Sequence, residues 1–503
     1  MSYAIPPAYP TVLHMLASAA DAVPDRVALV CGNEELTYRN YLSCVAGFAD
    51  ELGKEVCDGR VALIMANAID IAIAFYAVGA AGAQVVPLNP AYTAHELRPI
   101  LQDADPSVIV CDDALADVVA PIAKEIGASR LIHIGSSKRL TTWQDQSVPL
   151  RSFPDPQSLS TLQYTGGTTG RSKGVNLSHA AVATNVAQRE AMLPSEDGER
   201  ILVVTPLYHS YAIAMGLYLS AYCRGTLVIL PRYRPADVLS AIANHRVTLF
   251  AGSPTLFVGL MGHEDFAHTD FSSLKLCFSG ASALPVETLR RWEAATGCSI
   301  CEGYGQSEAG PVVTYNPRHG VKKPGSAGAI LPLTEVEIVD TEAGQTRMPL
   351  GEPGEVRVRG PQIMSGYRNL PDETATALRD GWLYTGDIGA LDDDGYLFIQ
   401  DRKKDMAIVG GFNVYPREIE EVLCAHPDIV EAAVIGKPDS YRGEILHAYV
   451  VVTKNAVSSV DDLFEYTRER LTKYKIPASI TIASALPKTN VGKIDKIALR
   501  KNA

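Results

Sequence analysis

The sequence has no surplus of positive charge: 45 Lys and Arg stand against 57 Asp and Glu, a formal net charge of −12. Nucleic acid and anionic membrane surfaces are held mainly by Lys and Arg, so neither is an expected partner. An anionic ligand would need a local basic site. Cysteine offers no framework either, because its nine residues are odd in number and scattered without recurring spacings. Cys298 and Cys301 make a lone Cys-x-x-Cys, and zinc spacing calls for a second such pair. The surrounding residues read instead as a strand entering a turn. The opening Met-Ser-Tyr-Ala-Ile-Pro-Pro has neither the basic start nor the apolar core of a signal peptide, and a reducing, cytoplasmic location is expected. No uninterrupted membrane span is present. The stretch 61–88 is nearly all apolar, but Asn67, Asp70 and Gln84 break it, and it reads as a buried strand over 61–65 followed by a helix over about 68–81. There is no internal repeat at periods of roughly 20 to 50 residues and no low-complexity tract, which excludes a solenoid.

What is there is a long chain of ordinary globular composition. At 503 residues, 47% hydrophobic and 20% charged, it is too long for one core, so at least two domains are expected. Strands at 61–65, 85–88 and 108–111 alternate with helices, and a second alternation runs through strands at 201–205, 226–230, 248–252, 274–279 and 300–304. Alternation of this kind implies a parallel sheet with helices on its faces and ligands at the carboxyl ends of the strands. The segment 135–158, with Ser136, Ser137, Pro149, Pro154 and Pro156, reads as connector. After Pro324-Gly325-Ser326 the pattern changes to short strands with Gly turns, at 335–339, 354–359 and 396–400, which suggests antiparallel pairing. Beyond the charge cluster Asp401-Arg402-Lys403-Lys404-Asp405 a small α/β unit begins, with helices at 416–423 and 460–474 and strands at 430–435 and 448–452. The expected architecture is α/β: a large N-terminal domain over 1–400, made of parallel and mixed sheets packed with helices plus an antiparallel β subdomain, a hinge at 401–405, and a small mobile C-terminal α/β domain over 406–503.

The chain is organised around residues 161–175, Thr-Leu-Gln-Tyr-Thr-Gly-Gly-Thr-Thr-Gly-Arg-Ser-Lys-Gly-Val. Gly166, Gly167 and Gly170 let the backbone turn tightly and bring its N–H groups against an anion, while Thr165, Thr168, Thr169 and Ser172 add hydroxyls and Lys173 a charge. This is a chemistry for holding phosphate. A P-loop would need Gly immediately before the Lys and Ser or Thr immediately after it, whereas Ser172 precedes Lys173 and Gly174 follows. The loop is expected between two strands, or a strand and a turn, with the next helix starting near Ser178.

The run Tyr164-Thr165-Gly166-Gly167-Thr168-Thr169-Gly170-Arg171-Ser172-Lys173-Gly174 resembles the phosphate loop of the adenylate-forming superfamily, which includes acyl-CoA synthetases, luciferases and peptide-synthetase adenylation domains. Most members carry Ser where Gly166 stands. The later motifs extend the resemblance over nearly the whole chain, and it implies roles residue by residue. In Tyr304-Gly305-Gln306-Ser307-Glu308, Glu308 would hold magnesium, Ser307 touch the α-phosphate and Tyr304 flank the adenine. Gly280, Ala281 and Ser282 resemble the adenine-edge segment, which more often reads Gly-Ala-Ala. Asp387, in Tyr384-Thr385-Gly386-Asp387, resembles the ribose-binding aspartate, whose two acceptor oxygens suit a vicinal diol. Arg402 resembles the arginine that reaches the nucleotide, Lys404 the hinge residue, and Gly411, in Gly410-Gly411-Phe412, the lining of a narrow pantetheine tunnel. Lys493, in Pro487-Lys488-Thr489-Asn490-Val491-Gly492-Lys493, resembles the catalytic lysine, and His209, in Pro206-Leu207-Tyr208-His209, the histidine bordering the acyl pocket and thiol path.

The resemblance implies a ligase using ATP, Mg2+ and coenzyme A, which joins a small carboxylic acid to AMP and then transfers the acyl group to the thiol. A medium- or long-chain fatty acid is the first expectation, from Asp380-Gly381-Trp382-Leu383-Tyr384-Thr385-Gly386-Asp387 and 401–406, with Gly303 leaving room in the pocket floor. An aryl acid of the coumarate or benzoate type is the second, from His209-Ser210-Tyr211-Ala212. The rivals are an adenylation enzyme that loads a carrier protein instead of coenzyme A, a luciferase-like oxygenase, and a non-catalytic nucleotide sensor. A sensor would be expected to lack Lys493 or Glu308, and both are present.

Overall fold

The computed structural model describes residues 3–53, 56–165, 172–409, 412–439, 442–454, 456–489 and 492–501. Three sheets organise them. The strands Val27–Cys31, Thr226–Ile229, Arg200–Val203, Leu249–Gly252, Leu276–Ser279 and Ile300–Tyr304 run parallel in that spatial order. Most of their residues are buried, as continuous β-branched and aliphatic runs in parallel sheets require. Beyond Ile300–Tyr304 the same sheet continues antiparallel through Thr314–Tyr315, Gly328–Ile330, Tyr396–Arg402, Trp382–Leu391, Gly354–Arg359 and Glu335–Val339. The expected antiparallel unit is thus joined by backbone hydrogen bonds to the parallel part, in one sheet of 14 strands.

The second sheet has seven strands. Leu159–Thr165, Gln84–Leu88, Arg60–Ile64, Val108–Asp112 and Arg130–Ile134 are parallel, and Lys173–Ser178 and Gly366–Tyr367 close one side antiparallel. The helix Ile69–Ala80 lies between the sheets with every residue buried. A helix apolar all round belongs in a core or a membrane, and at 12 residues this one is too short to span a bilayer. Its one carboxylate, Asp70, is satisfied by the Arg139 Nε at 2.7 Å and the Leu140 N–H at 2.6 Å. Among the described residues no helix is long and apolar enough to cross a membrane.

Beyond Arg402 the chain enters a third, five-stranded sheet, which starts at Ala407–Val409 and is dominated by the long hairpin Ile429–Asp439 and Gly443–Val452. The helices Pro416–Cys424 and Val460–Arg468 pack on it around Ile419, Leu423, Val434, Leu446 and Leu463. The second of these ends six residues earlier than the sequence pattern suggests; Lys473–Lys475 form a separate short turn. Among the polar contacts that seat this domain on the first, the Arg417 Nη1 donates to the Ile399 carbonyl at 2.5 Å, the Arg417 N–H to Asp401 Oδ2 at 3.1 Å and the Thr255 hydroxyl to the Gly492 carbonyl at 2.8 Å.

Candidate active site

The strands Leu159–Thr165 and Lys173–Ser178 form an antiparallel pair whose last register partners are Thr165 and Lys173, so the Gly/Thr-rich segment joins two strands as expected. Ser178 then caps the helix His179–Met192 by accepting from the Ala181 N–H at 3.1 Å. Gly166, Gly167, Thr168, Thr169 and Gly170 lie outside the described residues, as does Gly411. The flanks are well defined. The Lys173 ammonium stands 5.0 Å from the centre of the Tyr367 ring, and the Tyr367 hydroxyl donates to Glu308 Oε1 at 3.0 Å. A cation and a carboxylate from separate elements thereby meet across one aromatic residue. Ser307, beside Glu308, lies 3.1 Å from the Ser210 hydroxyl. Magnesium takes one or two carboxylates and completes its shell with water and phosphate oxygens, so Glu308 and Ser307 form a donor set of suitable hardness.

A second group forms where the two domains meet. Tyr304, at the carboxyl end of its strand, donates its hydroxyl to Asp387 Oδ2 at 2.6 Å, and the Arg402 Nε lies 3.1 Å from Asp387 Oδ1. Asp387 is buried, which raises its pKa, and Arg402 and Tyr304 act against that rise. The tail domain delivers Lys493 to the same place on a turn fixed by the Thr489 N–H donating to the Lys493 carbonyl at 2.7 Å. Burial brings the Lys493 pKa down to about 8; the nearby Arg402 adds to this and Asp387 opposes it. His209 is pushed down to about 3, by burial first and then by Lys493. It is therefore a neutral imidazole at pH 7, and because its Nδ1 accepts from the Tyr211 N–H at 3.3 Å, its proton sits on Nε2. Lys404 stands exposed in the link between domains, with its pKa lowered by desolvation first and also affected by the nearby charges of Asp405, Arg402 and Asp387.

Gly280, Ala281 and Ser282 follow the strand Leu276–Ser279. A Cβ at Gly280 would sit 2.8 Å from the Tyr211 ring, and Ala281 adopts a φ of 70°, a conformation uncommon outside glycine. The segment is held from below by Glu302, which accepts from the Leu284 N–H at 2.9 Å. Burial raises the Glu302 pKa to about 7, and its main opposing charge is Arg417 of the tail domain. Sequence reading missed Glu302 and Tyr367, since neither falls in a position with a recognisable chemical pattern. It also misjudged Gly303. The space left by its absent side chain is filled, because a Cβ there would meet the Tyr315 ring at 2.6 Å. Gly303 accommodates Tyr315 and does not open a pocket floor.

A small recess of about 20 Å³ lies beside this centre. Leu177, Val182, Val186, Ile213, Ala214 and Val312 give it apolar walls, and Ser210 connects it to the group around His209 and Ser307. Its volume is room for about one water-sized group. One wall comes from Ser210–Ala212 and the π-helical turn Ile213–Tyr218, a local widening often found at functional sites. Gln163, at the cavity edge, donates its side-chain amide to the Tyr208 carbonyl at 3.0 Å and so ties the phosphate-loop strand to the His209 segment.

The chain is similar over nearly its whole length to known proteins. The family model described as AMP-binding enzyme matches residues 16–368, and that of the AMP-binding enzyme C-terminal domain matches 418–493. A long-chain-fatty-acid–CoA ligase of Bacillus subtilis (strain 168) is 39% identical, over 96% of this chain and 93% of the relative. A feruloyl-CoA synthase of an Amycolatopsis species is 36% identical over 95% and 96% respectively. Among solved structures, ATP-bound MatB from Rhodopseudomonas palustris superposes with a TM-score of 0.91 at 31% identity, covering 98% of both chains.

Proposed function

The chain belongs to the AMP-binding enzyme family, and we propose that within it the two groups of residues at the domain junction divide the work of making an acyl-CoA. It is an AMP-forming acid–thiol ligase that uses ATP, Mg2+ and coenzyme A. A carboxylate is a poor acyl donor until one oxygen is replaced by a good leaving group. Joining it to AMP supplies that group and releases pyrophosphate; the coenzyme A thiol then displaces AMP.

In this reading Asp387 accepts from the ribose hydroxyls, Arg402 reaches the phosphate, and Tyr304 holds Asp387 in place while flanking the adenine next to Gly280, Ala281 and Ser282. Lys173 and the Gly/Thr-rich loop bind the phosphates of the nucleotide. Glu308 would hold Mg2+, which neutralises phosphate charge when bound, and Ser307 would touch the α-phosphate. Lys493 answers the central electrostatic difficulty. A carboxylate attacking a polyphosphate meets like-charge repulsion, and an ammonium between the two stabilises the transition state more than the separated reactants. His209, neutral with its proton on Nε2, offers a donor on the path between acid and thiol without adding a charge. After adenylation the tail domain turns about Lys404, withdrawing Lys493 and presenting Gly411 to the pantetheine arm. Coenzyme A is the proposed acceptor, with a carrier protein as the alternative, and the cytoplasm the proposed location.

The acid is proposed to be a medium- or long-chain fatty acid, and the observation that supports this is the 39% identity, over 96% of the chain, to a long-chain-fatty-acid–CoA ligase. An aryl acid is the second reading, favoured by the 36% identity to a feruloyl-CoA synthase. A panel of alkanoic and aryl acids assayed for pyrophosphate release, with and without coenzyme A, tests both. Thioester formation from at least one acid with free coenzyme A is expected. Pyrophosphate release that never yields a thioester would favour the carrier-protein alternative.

A further inference from the structure

The tail helix Pro416–Cys424 begins at Tyr415, which supplies no side-chain cap. The first domain provides one instead. Asp401 is buried, and its carboxylate accepts from the Arg417 N–H at 3.1 Å and from the Arg402 N–H at 2.8 Å. A carboxylate at a helix N-terminus is favoured both by the hydrogen bond and by the helix dipole. The Arg417 side chain adds a second tie. It is 13% exposed, its Nη1 donates to the Ile399 carbonyl at 2.5 Å, and its Nε donates to Glu421 one helical turn on at 3.1 Å. Arg417 is also the main charge that offsets the burial of Glu302, the residue that holds the adenine-edge segment through the Leu284 N–H. Ile399 and Asp401 precede Lys404 in the chain and Arg417 follows it, so a tail that turns about Lys404 parts Arg417 from both. The Thr255 hydroxyl seats the Lys493 turn through Gly492, but that bond joins neutral groups and contributes less than one made by a charged group.

We propose that Arg417 is a positioning residue for adenylation: it latches the tail in the orientation that brings Lys493 to Asp387 and His209, and it lets go when the tail turns for thioester formation. This rests on the acyl-CoA ligase reading and adds to it the contact that sets the balance between the two tail positions. Arg417 touches neither nucleotide nor acid. Its effect passes through Lys493, which reaches the site only while the tail is seated. A contact made in one orientation and absent from the other shifts their populations by its own free energy. Loss of the latch therefore weakens the first half-reaction and leaves the second intact or faster.

The test measures the two half-reactions of the full-length enzyme separately, with an acid accepted from the alkanoic and aryl panel: pyrophosphate release from acid and Mg-ATP without coenzyme A, and thioester formation from the supplied acyl-adenylate and coenzyme A. Arg417→Met keeps the reach of the side chain and removes its charge and donors. It should lower the first rate relative to the second by about tenfold, the size expected for one hydrogen bond to a charged group, and Arg417→Lys should recover part of that loss. A residue that only holds the tail together would slow both halves alike, so equal losses, or a ratio within about twofold of wild type, overturn the latch. A second measurement needs no variant. In the wild-type enzyme, hydrogen exchange of the peptide carrying the Arg417 N–H should be slower with Mg-ATP than with AMP and coenzyme A, and equal exchange overturns the latch even where Arg417→Met does not fold. Failure of every acid in the panel to release pyrophosphate would count against the ligase reading, and the exchange comparison would still decide whether Arg417 holds the tail.

Discussion

Replacing Lys493 by Ala isolates a single charge. The ammonium is removed while the local turn keeps its backbone bonds, since the Thr489 N–H donates to the Lys493 carbonyl and the Lys493 N–H to the Thr489 hydroxyl at 3.2 Å. Two unit charges about 4 Å apart at an effective dielectric constant near 20 interact by about 4 kcal/mol. If Lys493 meets the transition-state charge at that distance, its loss slows adenylation by roughly 10³-fold, comparable to removing one donor from an oxyanion hole. Acyl-adenylate formation, followed by pyrophosphate release, should fall by that factor. Thioester formation from supplied acyl-adenylate and coenzyme A should stay within about threefold of wild type, because by then the lysine has no polyphosphate to bridge. The pH dependence checks the same charge. Burial lowers the Lys493 pKa to about 8, so the active ammonium is present below that value and lost above it. kcat/KM for adenylation should therefore decline as pH rises through about 8, and Lys493→Ala should lack that limb. Equal losses in both half-reactions, or adenylation reduced by less than tenfold, would refute the assigned role.

Tyr367→Phe removes the hydroxyl that Glu308 accepts from but keeps the ring facing Lys173. A hydrogen bond to a charged group contributes about 1.5–3 kcal/mol, so adenylation should fall roughly 10- to 100-fold and half-saturation should need more Mg2+, read from a magnesium titration. An unchanged titration would separate Tyr367 from metal binding. Gly303→Ala places a methyl group 2.6 Å from the Tyr315 ring and should destabilise the protein by about 1–3 kcal/mol, measured by urea unfolding; Tyr315→Leu in the same chain should recover most of the loss.

The alternation of strands and helices was legible because buried parallel strands write themselves as continuous apolar runs, as Val108–Asp112 does. The strand Arg130–Ile134, at the edge of its sheet, was not, since it begins with Arg and carries a His in its middle. The helix Ala116–Ile126 was hidden by Pro121. In the tail domain the strand Ile429–Asp439 runs four residues past the expected end, through Gly-Lys-Pro-Asp, which has no apolar signal and is held by pairing with Gly443–Val452. The chemistry was legible wherever residues adjacent in sequence act together, as with Ser307 and Glu308. It was not where partners come from distant segments. Tyr367 meets Glu308 from 59 positions away, and Tyr304 meets Asp387 from 83. Arg189 reads in sequence as an ordinary polar residue of a helix. The fold buries it against the Phe278 ring, a partner 89 positions away.

The hydrogen-bonded continuity from the parallel strands into the antiparallel ones has a mechanical consequence. Tyr304 stands on the last parallel strand, and Asp387 and Arg402 on antiparallel strands further along the same sheet. These three therefore move as one plate, and a rotation of the tail carries Lys493 away without loosening their mutual spacing. In the proposed cycle the grip on AMP would then be indifferent to tail position, and the adenylate would stay anchored while one partner departs and the next arrives.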